Sequence, residues 1–182
     1  MMKNILLYIL FTINMVFTKG DIMSSDFYNI NFKNILGEEK SFKEFSGKKI
    51  LIVNVASYCG YTRQYKDLQK LQDLYSDKLQ VIAFPCNDFG SQEPGNNSQI
   101  AQFCESNYSI KFPVMSKINI RKTPIHPVYK WLTNSDLNGW NNSKPKWNFY
   151  KYLIDEKGKL SKVLASSINP RDSIITDFIE SD

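Results

Sequence analysis

The stretch Lys49-Ile-Leu-Ile-Val-Asn-Val55 is apolar and β-branched almost throughout, and it runs directly into Ala56-Ser-Tyr-Cys-Gly-Tyr-Thr62. A strand with alternating polarity leaves one face in water. A continuous apolar strand needs both faces covered, as in parallel or mixed sheets held between helices. The following residues fit that arrangement. In "RQYKDLQKLQDLY", Tyr65, Leu68, Leu71 (or Gln72) and Tyr75 recur at helical spacing, with Thr62 as the expected N-cap. Leu79 to Phe84, "LQVIAF", reads as a second buried strand. Two such strands joined through a helix lie parallel, with a right-handed crossover.

The remaining segments extend this pattern. Phe27 to Phe45 alternates around Gly37 and reads as a hairpin. Pro85 to Asn97 is a loop rich in Pro, Gly and Asn, and Ser98 to Ser106 reads as a helix with Ile100, Phe103 and Cys104 on one face. Phe112 to Ile118 is short and extended, Pro127 to Leu132 opens another helix, and Thr133 to Lys146 is a polar loop. Phe149 to Ile154 and Leu160 to Ala165 flank the turn "DEKGK" and form an antiparallel hairpin. Pro170 to Glu180 closes the chain as an amphipathic helix, with Ile174, Ile175, Phe178 and Ile179 inward. The order predicts an α/β fold with a mixed central β-sheet flanked by helices on both faces. A strand–cysteine–helix opening in this order resembles the thioredoxin-like fold.

Composition narrows the function classes. The 182 residues suit one domain, and 42% apolar with 14% aromatic residues supply a core. The net charge of +5 comes from scattered lysines, so no nucleic-acid partner is expected. Three cysteines, Cys59, Cys86 and Cys104, form no CxxC pair, and the odd number argues against a disulfide scaffold. Closely paired ligands are also missing, so no metal is expected, and His126 in "TPIHPVY" reads as a helix-start residue. Ile5 to Phe17 is apolar but shorter than the roughly 20 residues of a comfortable membrane span. It matches the apolar core of a secretory signal, although no clean cleavage site follows. A signal peptide or N-terminal anchor is therefore expected over residues 1–22, with a periplasmic or secreted location and a folded domain over residues 24–182. A start of translation at Met23 would instead place the protein in the cytoplasm.

Cys59 sits where the buried strand ends and a helix begins. Reactive groups in open α/β sheets collect at the carboxyl ends of strands. The partial positive charge and free N–H groups of a helix N-terminus favour thiolate over thiol, and Arg63 nearby acts in the same direction. Gly60 is expected to adopt an unusual backbone angle and to leave the sulfur accessible. Two further clusters, Ala83 to Asn97 and Lys144 to Asp155, lie beside other strand ends and offer Gln92, Trp147 and Asn148. These are neutral hydrogen-bond donors, suited to holding a thiolate without trapping it in an ion pair. Taken singly, each is equally well a loop residue, a core aromatic or a turn former.

Together, "NVASYCGYT", "FPCNDFGSQEPG" and "WNF" resemble the three signature blocks of the glutathione peroxidase family, in the right order and over roughly Asp26 to Ile179. The resemblance implies a catalytic tetrad of Cys59, Gln92, Trp147 and Asn148, with cysteine where other members carry selenocysteine. It implies a thiol peroxidase that reduces hydrogen peroxide and organic or lipid hydroperoxides through a cysteine sulfenic acid, in response to oxidative stress. It further implies Cys104 as the resolving cysteine, with Cys86 as the alternative, and recycling by a thioredoxin-like protein or glutathione without a bound cofactor. The short Thr133 to Lys146 loop lacks the family's tetramer-forming insertion, so a monomer is expected. Asp88 departs from the Gln usual at its position, and Arg63 from a usual Pro. A peroxide sensor or relay that passes its oxidation to a partner protein is the alternative function.

Overall fold

A computed structural model describes residues 27–181; the expected signal or anchor over residues 1–22 and the alternative start at Met23 lie outside the described residues. The central four-stranded sheet contains β3 (Lys49–Val55), β4 (Leu79–Pro85), β5 (Lys151–Ile154) and β6 (Leu160–Leu164), in the order β4-β3-β5-β6. A separate hairpin pairs β1 (Asn31–Lys33) with β2 (Glu39–Ser41) around Gly37, whose φ of 87° suits a residue without a Cβ. β3 and β4 are parallel, joined through α1 (Gln64–Leu74), as the sequence requires. β5 is antiparallel to β3, and β6 to β5. The sheet is therefore mixed, and the fold is thioredoxin-like.

β3 is buried along its whole length because its alternate residues point into two separate cores. Leu51, Val53 and Val55 pack with Tyr65, Leu68 and Leu71 of α1, Ile100 and Cys104 of α2 (Asn97–Tyr108), and Ile175 and Ile179 of α5 (Ser173–Glu180). Ile50 and Ile52 point the other way, toward Phe27, Phe32, Phe42 and Val128, Tyr129, Trp131 and Leu132 of α3 (Pro127–Leu132). Each fully buried aliphatic side chain contributes about 1.5–3 kcal/mol. That is why the run tolerates no polar alternation.

Several local expectations change. Thr62 does not cap α1; Arg63 occupies the N-cap position without a side-chain bond. Phe112 to Ile118 forms no strand, but Ala83 N–H donates to Pro113 O at 3.0 Å and Met115 N–H to Ala83 O at 2.9 Å, covering the β4 edge. The 133–146 loop contains a short helix, α4 (Ser135–Asn138). In α5, Ile174 faces outward, while Ile175 and Ile179 are buried. His126 does start α3, its ring nitrogen accepting Val128 N–H at 3.3 Å.

Candidate active site

Strand direction explains how three distant blocks meet. β3 and β4 run parallel and end together at Val55 and Pro85. Because β5 runs the opposite way, its first residue, Lys151, pairs with Val53 at the same end of the sheet. The segments after β3, after β4 and before β5 therefore leave the sheet side by side. Backbone bonds join them directly: Cys86 N–H donates to Val55 O at 3.1 Å, Phe149 N–H to Asn54 O at 2.6 Å, and Tyr58 N–H to Gln92 O at 3.0 Å.

Cys59 lies in the first segment, 8% exposed. Its own N–H donates to Thr62 Oγ1 at 3.0 Å, and that hydroxyl donates to Ala56 O at 2.8 Å. Thr62 thus locks the cysteine turn instead of capping the helix. From Cys59 onward, i→i+3 bonds climb into α1 through Thr62, Gln64, Tyr65 and Lys66. This staircase leaves the Tyr61 N–H free to point back, and it donates to Cys59 Sγ at 3.4 Å. The expected supply of helix N-terminal N–H groups therefore reaches the sulfur as one backbone amide. Arg63 is exposed, and among the described residues its guanidinium makes no hydrogen bond to the sulfur. Gly60 is not in the left-handed region; its role is open space, with nothing within 4 Å of the place a Cβ would occupy.

The structure brings the other three expected residues together. Asn148 is fully buried, and its Nδ2 donates to Gln92 Oε1 at 3.0 Å and to Phe89 O at 3.4 Å. Gln92 Nε2 and Trp147 Nε1 have no partner among the described residues. The Trp147 indole is 38% exposed and meets the Phe89 ring edge-on, at 6.3 Å between centroids. It is therefore neither a core aromatic nor a free surface residue. It forms one wall of an open groove of about 440 Å³ shared with Tyr61, Lys146 and Tyr150.

Unusual backbone flanks these residues. Gly90 (φ 66°) and Ser91 (φ 55°) precede Gln92, and Phe149 (φ 64°) follows Asn148. A left-handed conformation is uncommon for a bulky residue and costs about 1–3 kcal/mol. At Gly90 a Cβ would also stand 3.1 Å from the Trp147 ring, so glycine leaves room for the indole. Sequence reasoning missed the backbone at these positions, along with Asn54, Ser166 and Lys151, and gave Thr62 the wrong role. The glycine in "DFGSQ" was the one available signal.

Asp88 settles into a structural role. Burial opposes its charge, but the N–H groups of Ile120, Arg121 and Lys122 hold its carboxyl below the ordinary range. Glu93, next to Gln92, is buried, and its Oε2 has no hydrogen-bond partner among the described residues. Burial pushes its carboxyl up, against the lowering influence of Ser57.

All three thiols are free and buried. Cys104 packs in the same core as Cys59, and the rings just before them, Tyr58 and Phe103, lie 6.2 Å apart. Cys86 packs in the other core, on the opposite side of β3. Burial pushes the Cys104 thiol up to about 11 and the Cys86 thiol up to about 12.

The chain has recognisable relatives among known proteins. The family model described as glutathione peroxidase matches residues 27–133. The glutathione peroxidase-like peroxiredoxin HYR1 of Saccharomyces cerevisiae is 43% identical over 157 residues, covering 86% of this chain and 95% of its own. A solved structure described as Trgpx in apo form is 34% identical with a TM-score of 0.65, covering 85% of this chain and 95% of its own. A thioredoxin-like protein from Aeropyrum pernix, 13% identical, shares the fold with a TM-score of 0.59 over 87% of this chain and 93% of its own.

Proposed function

The chain belongs to the glutathione peroxidase family and is a peroxidase, and on that premise we propose that Cys59 is its peroxide-reducing thiol, with Gln92, Trp147 and Asn148 orienting the peroxide. One observation carries the reading. Asn148 occupies Gln92 Oε1, which leaves Gln92 Nε2 and Trp147 Nε1 as two uncommitted donors at the sheet end that holds Cys59. Neutral donors of this kind can hold the two peroxide oxygens and the negative charge that develops on the leaving one. The thiolate attacks one oxygen; the S–O bond forms as the O–O bond breaks. The departing oxygen takes a proton and leaves as water or an alcohol, and Cys59 becomes a sulfenic acid. Hydrogen peroxide and organic or lipid hydroperoxides are the proposed substrates, and the open groove beside Trp147 has room for a bulky substituent.

The proposed resolving residue is Cys104. Its sulfur attacks Cys59, the S–S bond forms, the S–O bond breaks and water leaves. Its place in the same core as Cys59 favours it over Cys86, which lies across the sheet. A disulfide needs Cα atoms within about 7 Å, and α2 with its preceding loop is proposed to unwind to reach that geometry. A thioredoxin-like protein or glutathione then reduces the disulfide, with no bound cofactor. The protein is proposed to act as a monomer in the response to oxidative stress, exported if residues 1–22 serve as a signal.

Peroxide-dependent NADPH consumption by residues 24–182 tests this, with thioredoxin and its reductase and separately with glutathione and its reductase. Turnover that is lost in both Cys59→Ser and Cys104→Ser, and kept in Cys86→Ala, supports the two-cysteine cycle. Full turnover in Cys104→Ser would overturn the resolving assignment. Weak turnover with both donors, together with a mixed disulfide between Cys59 and another protein, would favour the relay.

A further inference from the structure

Lys151 occupies the first position of β5 and is completely buried. An aliphatic side chain would satisfy the strand and the core. A buried amine is disfavoured unless its hydrogens find partners. No carboxylate pairs with it among the described residues. Its partners are two main-chain carbonyls: Nζ donates to Phe149 O at 2.9 Å and to Ser166 O at 3.4 Å. Both belong to the support of the Trp147–Asn148 turn.

That turn is held at three consecutive carbonyls by three side chains from different parts of the chain. Asn54 Nδ2 donates to Trp147 O at 3.0 Å, Ser166 Oγ to Asn148 O at 2.6 Å, and Lys151 Nζ to Phe149 O. Ser166 O also accepts Gln64 Nε2 at 2.7 Å, which ties the cluster to the first turn of α1. Lys151 is the one member that binds both the left-handed Phe149 and the Ser166 segment holding Asn148. Removing it takes away the side-chain donor of the Phe149 carbonyl, next to the Asn148 that bonds Gln92.

We propose that Lys151 is a positioning residue for peroxide reduction, its buried amine fixing the Trp147–Asn148–Phe149 turn so that Asn148 stays on Gln92 and the indole faces the substrate. The inference rests on the reading of Cys59 as the peroxide-reducing thiol. The sulfur's own bond comes from the Tyr61 amide on another segment. Lys151 therefore acts on the peroxide donors and leaves the thiol itself unchanged.

The test compares two reactions of Cys59, oxidation by hydrogen peroxide and alkylation by iodoacetamide, each followed at Cys59 by mass spectrometry in wild type, Lys151→Met and Ser166→Ala. Alkylation needs the thiolate but not the peroxide donors. Misplacing such groups by about 1 Å can slow a reaction on the order of a hundred-fold. The expected result is at least about a ten-fold slower peroxide reaction in Lys151→Met, a smaller loss in Ser166→Ala, and unchanged alkylation in both. An unchanged peroxide rate in Lys151→Met overturns the proposal. So does an equal loss in both reactions, because general disruption of the fold produces that. Cys59→Ser is the separate control: peroxide reduction that survives it sinks the site assignment, whatever Lys151 does. If Lys151→Met fails to fold, Lys151→Leu, a second apolar substitution that removes the amine, is measured in its place with the same expected and overturning outcomes.

Discussion

Replacing Lys151 by methionine should stabilise the protein at neutral pH, by an amount that shrinks as the pH rises. Burial pushes the amine from its ordinary 10.5 down to about 7, with no charged partner among the described residues to offset it. A cation whose folded-state pKa is depressed contributes stability above its unfolded value and loses it as the pH falls toward the folded value. Between about pH 7 and 10.5 the unfolded chain binds one more proton than the folded one, so folding weakens by about 1.4 kcal/mol per unit on acidification. Across the whole window that amounts to about 5 kcal/mol. Methionine does not titrate, so the difference between the two proteins isolates the lysine from every other group. Losing the two carbonyl bonds costs about 1 kcal/mol each and offsets part of the gain. Methionine should therefore be the more stable variant at pH 7.5 by urea unfolding, with its advantage falling by about 2–3 kcal/mol by pH 9.5. A difference that stays flat with pH would refute the reasoning, because it would mean that the amine keeps its proton inside the fold. Stabilisation combined with slower peroxide reduction is the pattern expected of a group retained for its function.

Three other substitutions probe separate parts of the site. Gly90→Ala forces a Cβ into a left-handed position against the indole, so unfolding by denaturant should show a loss of about 1 kcal/mol, and peroxide turnover should fall while alkylation of Cys59 does not. Thr62→Val keeps the shape but removes the partner of the Cys59 N–H; urea unfolding should show a loss of about 1–3 kcal/mol, largely restored in Thr62→Ser, and equal stability of the valine variant and wild type would refute the lock. Glu93 has a raised folded-state pKa, so its stability contribution is present below its unfolded value of 4.5 and lost as the pH rises through the folded value. Glu93→Gln should accordingly melt at a higher temperature than wild type at pH 7, with the gap closing toward pH 4, and a constant gap would show that the carboxyl is not strained by burial.

The parts of this molecule that were legible in its sequence are those in which one residue's pattern carries the information. The continuous run from Lys49 to Val55 could belong only to a covered strand, and the cysteine after it marked the sheet end where the three signature blocks meet. Gln92, Trp147 and Asn148 were ambiguous as individual residues; the three-block resemblance grouped them, and the structure brings Asn148 onto Gln92 beside Trp147. Thr62 was misjudged because a helix cap and a turn lock use the same hydroxyl at nearly the same place. Phe149 gave no warning, since nothing local favours a left-handed aromatic; the surrounding bonds impose it. Lys151 was invisible for a related reason. In "FYKYLI" a lysine reads as the solvent side of a strand, and only the sheet order, with β5 between β3 and β6, shows that it has no solvent side. Ile174 failed in the opposite sense, because an apolar residue at the start of a short helix reached the surface.

The support of the Trp147 turn also bears on how portable the site is. The "WNF" block forms a compact peptide, yet its conformation is set by Asn54 in β3, Lys151 in β5, and Ser166, which Gln64 braces from α1. A graft of that block onto another scaffold of the same fold would carry the reactive vocabulary without its grammar. If the turn has the role proposed for it, transplanting the function would require moving those four anchors with it. On the role proposed for this turn, divergence at any one of them would weaken peroxide reduction while leaving the signature motif intact to a reader of the sequence.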